Sequence, residues 1–170
     1  EPVKQIRRRG LRSTIRRWAR LAPETALERV KSIDDPGLRL SLLTALLQEW
    51  AKAAPEQVLH LAMEMDNANH TLSSNVLFAI TKDDPVLAMT MATHHKKRLR
   101  PSQQTSVMEF WARRDPRAAA AFIDQSGGYF HQSIIDGVVS YYSQRYPKEA
   151  LDWGQRWNSK NLFMLTDIVD

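Results

Sequence analysis

A short motif that returns about every 31 residues is the feature of this sequence that most constrains its fold. Each copy begins with a bulky apolar or aromatic residue, continues with a small one, and ends with a proline five positions after its first residue. The successive prolines are separated by 32, 30, 31 and 31 residues. A fixed period of this length is typical of proteins built from stacked helical repeats. The five copies span residues 18–23, 50–55, 80–85, 111–116 and 142–147.

Apolar residues on both sides of each motif predict two helices per repeat. One pair lies three and four positions before the first residue of the motif, and another lies three and four positions after the proline. These offsets place each pair on one helical face. The small second residue of the motif predicts a close approach of neighbouring helices. The first set of pairs is Thr14 and Ile15, Leu46 and Leu47, Val76 and Leu77, Val107 and Met108, and Val138 and Val139. The second set is Ala26 and Leu27, Val58 and Leu59, Ala88 and Met89, Ala119 and Ala120, and Ala150 and Leu151.

Asp-Pro dipeptides mark predicted helix starts. Aspartate is a good N-cap, and proline is tolerated at the first helical position because its missing N–H would have no partner there. Asp35, Asp84 and Asp115 each precede a proline. Two of them belong to Asp-Asp pairs that resemble acid/base dyads, but their position before a helix favours capping. Pro101 is also predicted to begin a helix.

These observations predict an all-α chain, an α-α superhelix (solenoid) of about five antiparallel helix pairs without a sheet. We expect a single helical-repeat domain over residues 1–170, with units near 2–22, 23–54, 55–84, 85–115, 116–146 and 147–170. The next motif would begin near residue 173, whereas the sequence stops at Asp170. We therefore expect the chain to be a piece of a longer array.

The phrase from Trp111 to Ala119, Trp-Ala-x-x-Asp-Pro-x-Ala-Ala in outline, resembles tetratricopeptide-like helical repeats of bacterial proteins. The resemblance covers nearly the whole chain. It implies a superhelical scaffold, and it transfers no catalytic residue to this sequence.

Charge is concentrated at the N-terminus. Residues 1–20 carry a net charge of +7 and the remaining residues −2. Arg9, Arg12, Arg16 and Arg20 follow helical spacing and form one candidate surface for an anionic partner. That partner would be an acidic protein surface, acidic lipid heads or nucleic acid, and the alternative is a solvated outer face. A second basic run occupies residues 94–100.

Aromatic residues other than those at the first position of a motif are the other candidate binding residues, because aromatics are frequent in binding surfaces. Trp18, Trp50, Trp111 and Tyr142 recur with the motif and are predicted to pack. Trp153 and Trp157 are four residues apart and share a helical face, so they are predicted to form one side of an anchor pocket. The alternative is that both pack against a helix from Lys160 onward. The candidate set is Tyr129, Phe130, Tyr146, Trp153 and Trp157.

Residue types that carry chemistry are sparse or scattered. The chain has no cysteine, which excludes disulfides and thiolate chemistry. Adjacent His94 and His95 are poor joint ligands, and no histidine pair has the spacing of a zinc helix, so we expect no metal site and no cofactor. No nucleophile, base and orienting group form a recognisable motif. No apolar run approaches the ~20 residues that span a bilayer, and the compartment, cytoplasm or periplasm, stays open.

The sequence therefore predicts a protein that is not an enzyme but a non-catalytic scaffold for protein or peptide binding. Two alternatives remain. One is a binder of nucleic acid or another anionic surface through the N-terminal arginines, and the other is an accessory helical region of a larger enzyme.

Overall fold

The computed structural model describes the backbone of residues 2–66, 70–95, 98–127 and 130–166, and the side chains of these residues except 2–8 and 158–166. Within these ranges the chain forms ten α-helices and no strand, which confirms the all-α helical-repeat prediction. The helices are α1 (Pro2–Leu21), α2 (Pro23–Lys31), α3 (Pro36–Trp50), α4 (Pro55–Met65), α5 (Thr71–Asp83), α6 (Pro85–His94), α7 (Pro101–Arg114), α8 (Pro116–Ser126), α9 (Gln132–Arg145) and α10 (Pro147–Thr166).

Helix starts follow the predicted proline chemistry. The carboxylate of Asp35 accepts hydrogen bonds from the N–H groups of Gly37 and Leu38 at 2.9 and 3.0 Å. Asp84 and Asp115 each accept one bond from the third residue of the helix that follows, at 2.9 and 3.0 Å. These bonds satisfy N–H groups that a helix leaves without an internal partner. The capping interpretation of the Asp-Pro dipeptides is therefore confirmed.

The start of α5 is capped by an aspartate that does not directly precede the helix. Asp66 lies six residues before Leu72, yet its carboxylate accepts from the Leu72 N–H at 2.7 Å and from the Ser73 N–H at 3.0 Å. Immediately before the helix, His70 adopts a left-handed conformation with φ of 50°. Residues 67–69, between Asp66 and His70, lie outside the described residues.

The chain folds into two compact units, Glu1–Leu99 and Arg100–Asp170. In the first unit, α1 packs on α3 and α3 packs on α5, while α2 and α4 each pack on the odd-numbered helix that follows. In the second unit, α7 packs on α9, α8 contacts both, and α10 packs on α9. The prediction of a single domain over residues 1–170 stays a prediction.

The predicted apolar pairs form the core with a few exceptions. Val58, Leu59, Leu46 and Leu47 have no exposed surface. Leu151, which we predicted to face inward, is 61% exposed, and that prediction is wrong. Even-numbered helices such as α2, α4 and α8 are covered by the next odd-numbered helix. No described helix follows α10 to cover Leu151 in that way. Among the other pair residues, Thr14 is exposed and Val139 is half-buried. Ser143, the small second residue of the fifth motif, is exposed as well.

The motif aromatics pack as predicted. Trp50, Trp111 and Tyr142 are all less than a tenth exposed, and Trp18 is half-buried. In the first four copies of the motif, the small second residue is buried as well, which allows the helices to approach closely. These residues are Ala19, Ala51, Thr81 and Ala112.

Candidate functional site

The arginines of α1 lie on a solvent-exposed face. Arg9, Arg12, Arg16 and Arg20 are all exposed, while Ile15 and Ala19 of the same helix are buried. Arg20 forms an ion pair through its Nε with Oε1 of Glu49 at 3.2 Å. The other three arginines have no ion pair with a described residue. The face is thus available to an anionic partner, and binding there stays a prediction.

Most of the aromatic candidates are covered by the chain itself. Trp153 is 2% exposed, Trp157 is 3% exposed and Phe130 is 6% exposed. Tyr146 is half-buried, and Tyr129 lies outside the described residues. Burial of three of the five residues favours packing over an open anchor pocket.

One carboxylate holds both tryptophans of α10. The indole Nε1 of Trp153 donates to Oδ2 of Asp124 at 3.2 Å, and that of Trp157 donates to Oδ1 at 2.6 Å. The two rings are 6.1 Å apart, so they do share a face as predicted. The alternative was packing against a helix from Lys160 onward, but in the described residues Lys160 lies within α10 itself, which continues without a break from Pro147 to Thr166. The tryptophans instead link α10 to α8 through Asp124.

Tyr146 belongs to a cluster that also links α8 to α10. The guanidinium of Arg117 lies 3.6 Å from the Tyr146 ring centroid. It donates two hydrogen bonds to Glu149, at 3.0 Å from Nε and 2.5 Å from Nη2. The Tyr142 hydroxyl donates to the same carboxylate at 3.0 Å. These bonds, from Arg117 first and then Tyr142, lower the pKa of Glu149.

A groove in the first unit was not foreseen from the sequence. It has a volume of about 740 Å³ and lies against α2 and α4, with the end of α3 and His95 completing its lining. Its apolar surface comes from Leu61, which is half-buried, and from the edges of Leu27 and Trp50, which are each less than a tenth exposed. Ligand sites of this size, about 300–1,000 Å³, usually combine such an apolar lining with a few polar groups.

Four glutamates surround this apolar surface. Glu24 and Glu28 come from α2, and Glu56 and Glu64 come from α4. Glu24 and Glu28 are four residues apart and therefore share a helical face, and Glu56 and Glu64, eight apart, do so as well. Among the described residues that line the groove, none is a lysine or an arginine. The walls of the groove are therefore strongly acidic.

Two of these four glutamates form an ion pair with a described residue, and the other two do not. Glu28 accepts from Lys31 of the same helix at 2.9 Å, and Glu64 contacts Nδ1 of His60 at 3.1 Å. Glu24 and Glu56 form no ion pair with any described residue. Because like charges close together repel, this arrangement favours binding of a positive group from outside.

Histidines border the groove near Glu56. The rings of His60 and His95 are 6.3 Å apart, and those of His94 and His95 are 5.2 Å apart. Burial lowers the pKa of His95, and the positive charge of His94, His60 and Arg98 lowers it further, while Glu56 raises it. Lys96 and Lys97, in the basic run that we noted, lie outside the described residues.

Neither a metal centre nor a membrane span is found in the described part of the chain. Its histidines and carboxylates form no group of three or more that is arranged to hold a metal ion. None of its described helices is long and apolar enough to cross a membrane.

Comparison with known proteins identifies no relative: no protein-family model, no curated protein and no solved structure matches the chain. The class is therefore defined by the structure, which is that of an all-α helical-repeat protein. The resemblance to tetratricopeptide-like repeats stays a prediction. The sequence did contain an indication of the groove. A glutamate directly follows Pro23 and Pro55, and the residue four positions after each glutamate, Glu28 or His60, is also polar.

Proposed function

We propose that this chain is a non-catalytic helical-repeat scaffold that binds a peptide segment of a protein partner. The observation that supports this function is the groove beside α2 and α4, with its apolar surface of Leu27, Trp50 and Leu61 between acidic walls. Repeat proteins commonly use extended surfaces formed by consecutive repeats to bind partners. No motif in the sequence supplies a reactive group to the groove, so binding is the function that it supports best.

The two helices that line the groove are packed against the rest of the first unit. Leu59 of α4 and Val30 of α2 have no exposed surface, and each helix packs on the odd-numbered helix that follows it. A preformed site loses little conformational entropy when a peptide binds, which favours affinity.

Selection from a displayed library of short random peptides, with the full chain as bait, tests this function. We expect the selected peptides to bind the wild-type chain in calorimetry and to lose affinity for Leu61→Gln, because that change makes the apolar surface polar. Leu40→Gln is the matched control, since Leu40 is 43% exposed on α3 and does not line the groove. Peptides that bind Leu61→Gln as well as wild type would place binding elsewhere and overturn the proposal.

The arginine face of α1 supports a second candidate function, binding to an anionic polymer. Arg9, Arg12 and Arg16 are exposed and form no ion pair with described residues. Binding of duplex DNA to this face should weaken steeply with added salt, because bound phosphates release counterions. It should also fall for Arg12→Glu combined with Arg16→Glu. Salt-independent binding, or binding that survives both changes, would contradict this second function.

A further inference from the structure

The second unit shows how this repeat holds a cation between two consecutive even-numbered helices. Arg117 is the first residue after the motif proline of α8, and Glu149 is the second residue after the motif proline of α10. The guanidinium donates two hydrogen bonds to Glu149 and lies over the ring of Tyr146. An arginine of the chain itself therefore joins α8 to α10.

The first unit has the same two repeat positions without the cation. The position of Arg117 is taken by Glu24 on α2, and that of Glu149 is taken by Gln57 on α4. Both residues line the groove, together with Glu28 and Glu56. A glutamate and a glutamine cannot form an arginine–carboxylate pair, so these two positions do not join α2 to α4 in the way that Arg117 and Glu149 join α8 to α10.

Two described cations, Lys31 and Arg98, contact side chains that line the groove. Lys31 donates to Glu28 at 2.9 Å. Nη1 of Arg98 lies 3.4 Å from Nε2 of His60, which in turn contacts Glu64. Glu24 and Glu56 receive no cation from either of them. Both carboxylates are exposed to water in the free chain, and a cationic group of a partner can pair with them without displacing a described lysine or arginine.

The apolar surface beside the carboxylates narrows the chemistry of that partner. Arginine and lysine carry a long apolar stem below the charged head, and the stem packs on apolar surface while the head stays among polar groups. Leu27, Trp50 and Leu61 offer such a surface next to the acidic walls. Arginine also donates paired, charge-assisted hydrogen bonds to a carboxylate, as Arg117 does here.

We infer that the groove binds a basic peptide segment, in which an arginine or lysine head lies among the carboxylates of Glu24, Glu28 and Glu56 and its stem or an apolar neighbour covers Leu27, Trp50 and Leu61. This inference rests on the proposed function and adds the charge of the partner. It uses the internal Arg117–Glu149 pair as the template for the missing interaction.

The peptides selected on the full chain are the probes for the test. We expect arginine or lysine next to an apolar residue to be enriched in them relative to the unselected library. Replacement of that arginine by citrulline, its neutral isostere, should weaken binding about tenfold or more, because a charge-assisted bond is lost. Affinity should also fall between low and moderate salt.

A variant that rebuilds the internal pair provides the second arm. Glu24→Arg combined with Gln57→Glu copies the Arg117–Glu149 arrangement into the first unit, so we expect the chain to stay folded and to lose affinity for the selected peptides by about tenfold or more. Asp152→Asn is the control, because it raises the net charge by the same amount at an exposed position of α10 and should leave affinity unchanged.

The outcomes separate this inference from the function on which it rests. Selected peptides that lose affinity for Leu61→Gln but show no basic enrichment and tolerate citrulline would overturn the charge assignment alone. Full affinity for the rebuilt Glu24→Arg, Gln57→Glu chain would overturn it as well. Peptides that bind Leu61→Gln and the rebuilt Glu24→Arg, Gln57→Glu chain as tightly as wild type would contradict both the proposed groove function and this inference.

Discussion

At the scale of single residues, Trp111 tests the packing role of the repeated aromatic position. Its side chain is 5% exposed and its ring lies 5.2 Å from that of Phe122. Trp111→Ala should lower the free energy of unfolding by about 3 kcal/mol, as large-to-small changes in a core do. Leu151→Ala is the control, and because Leu151 is 61% exposed it should change stability by less than about 0.5 kcal/mol. Denaturant titration measures both, and an unchanged midpoint for Trp111→Ala would refute the packing role.

His95 should make stability depend on pH. Burial first, and then the positive charge of His94, His60 and Arg98, lower its pKa in the folded chain, against the opposing charge of Glu56. The unfolded chain therefore binds a proton at a higher pH than the folded chain does. This contribution to stability is complete above the ordinary histidine pKa of about 6.5 and is lost as the pH falls through the lower folded value.

Thermal unfolding at a series of pH values checks this effect. The midpoint should fall as the pH is lowered from about 7.5 to about 5.5, the range in which histidines titrate. His95→Gln should show a shallower fall over the same range, because glutamine takes up no proton. Equal slopes for the two chains would assign the pH dependence to other groups.

At the scale of an element, substitution of two adjacent aspartates tests the capping of α6. Asp84 accepts a hydrogen bond from the Leu87 N–H at 2.9 Å, whereas Asp83 is the last residue of α5. Asp84→Ala should cost about 1 kcal/mol, the usual loss of an N-cap. Asp83→Ala should be neutral or slightly stabilising, because a negative charge at a helix C-terminus is unfavourable. If the two variants lose the same free energy of unfolding in chemical denaturation, the Asp84 cap does not stabilise the start of α6.

At the scale of the whole molecule, the two compact units predict that destabilisation stays local. Helical repeats interact mainly with their neighbours, so opening in one region need not spread along the array. Leu46→Ala, in a fully buried position of the first unit, should speed amide hydrogen exchange mainly within Glu1–Leu99. Ile123→Ala, equally buried, should act mainly within Arg100–Asp170. Equal acceleration in both units from either change would show one cooperative block.

The amino-acid sequence by itself determined the helices and most of their inward faces. Apolar spacing and Asp-Pro capping act over three to five residues, so they are readable without knowledge of the fold. They correctly predicted the start of α3 at Pro36, of α7 at Pro101 and the burial of Trp111.

Only the tertiary structure decided which side chains remain accessible, because that depends on contacts between residues about one repeat apart. Trp153 and Trp157 are covered and bonded to Asp124, 29 and 33 residues away. Leu151 has the same spacing as its buried counterparts and is exposed, because no described helix packs over it. Glu24 and Glu56 meet at one groove for the same reason: α2 and α4 line it together, although a whole helix separates them along the chain.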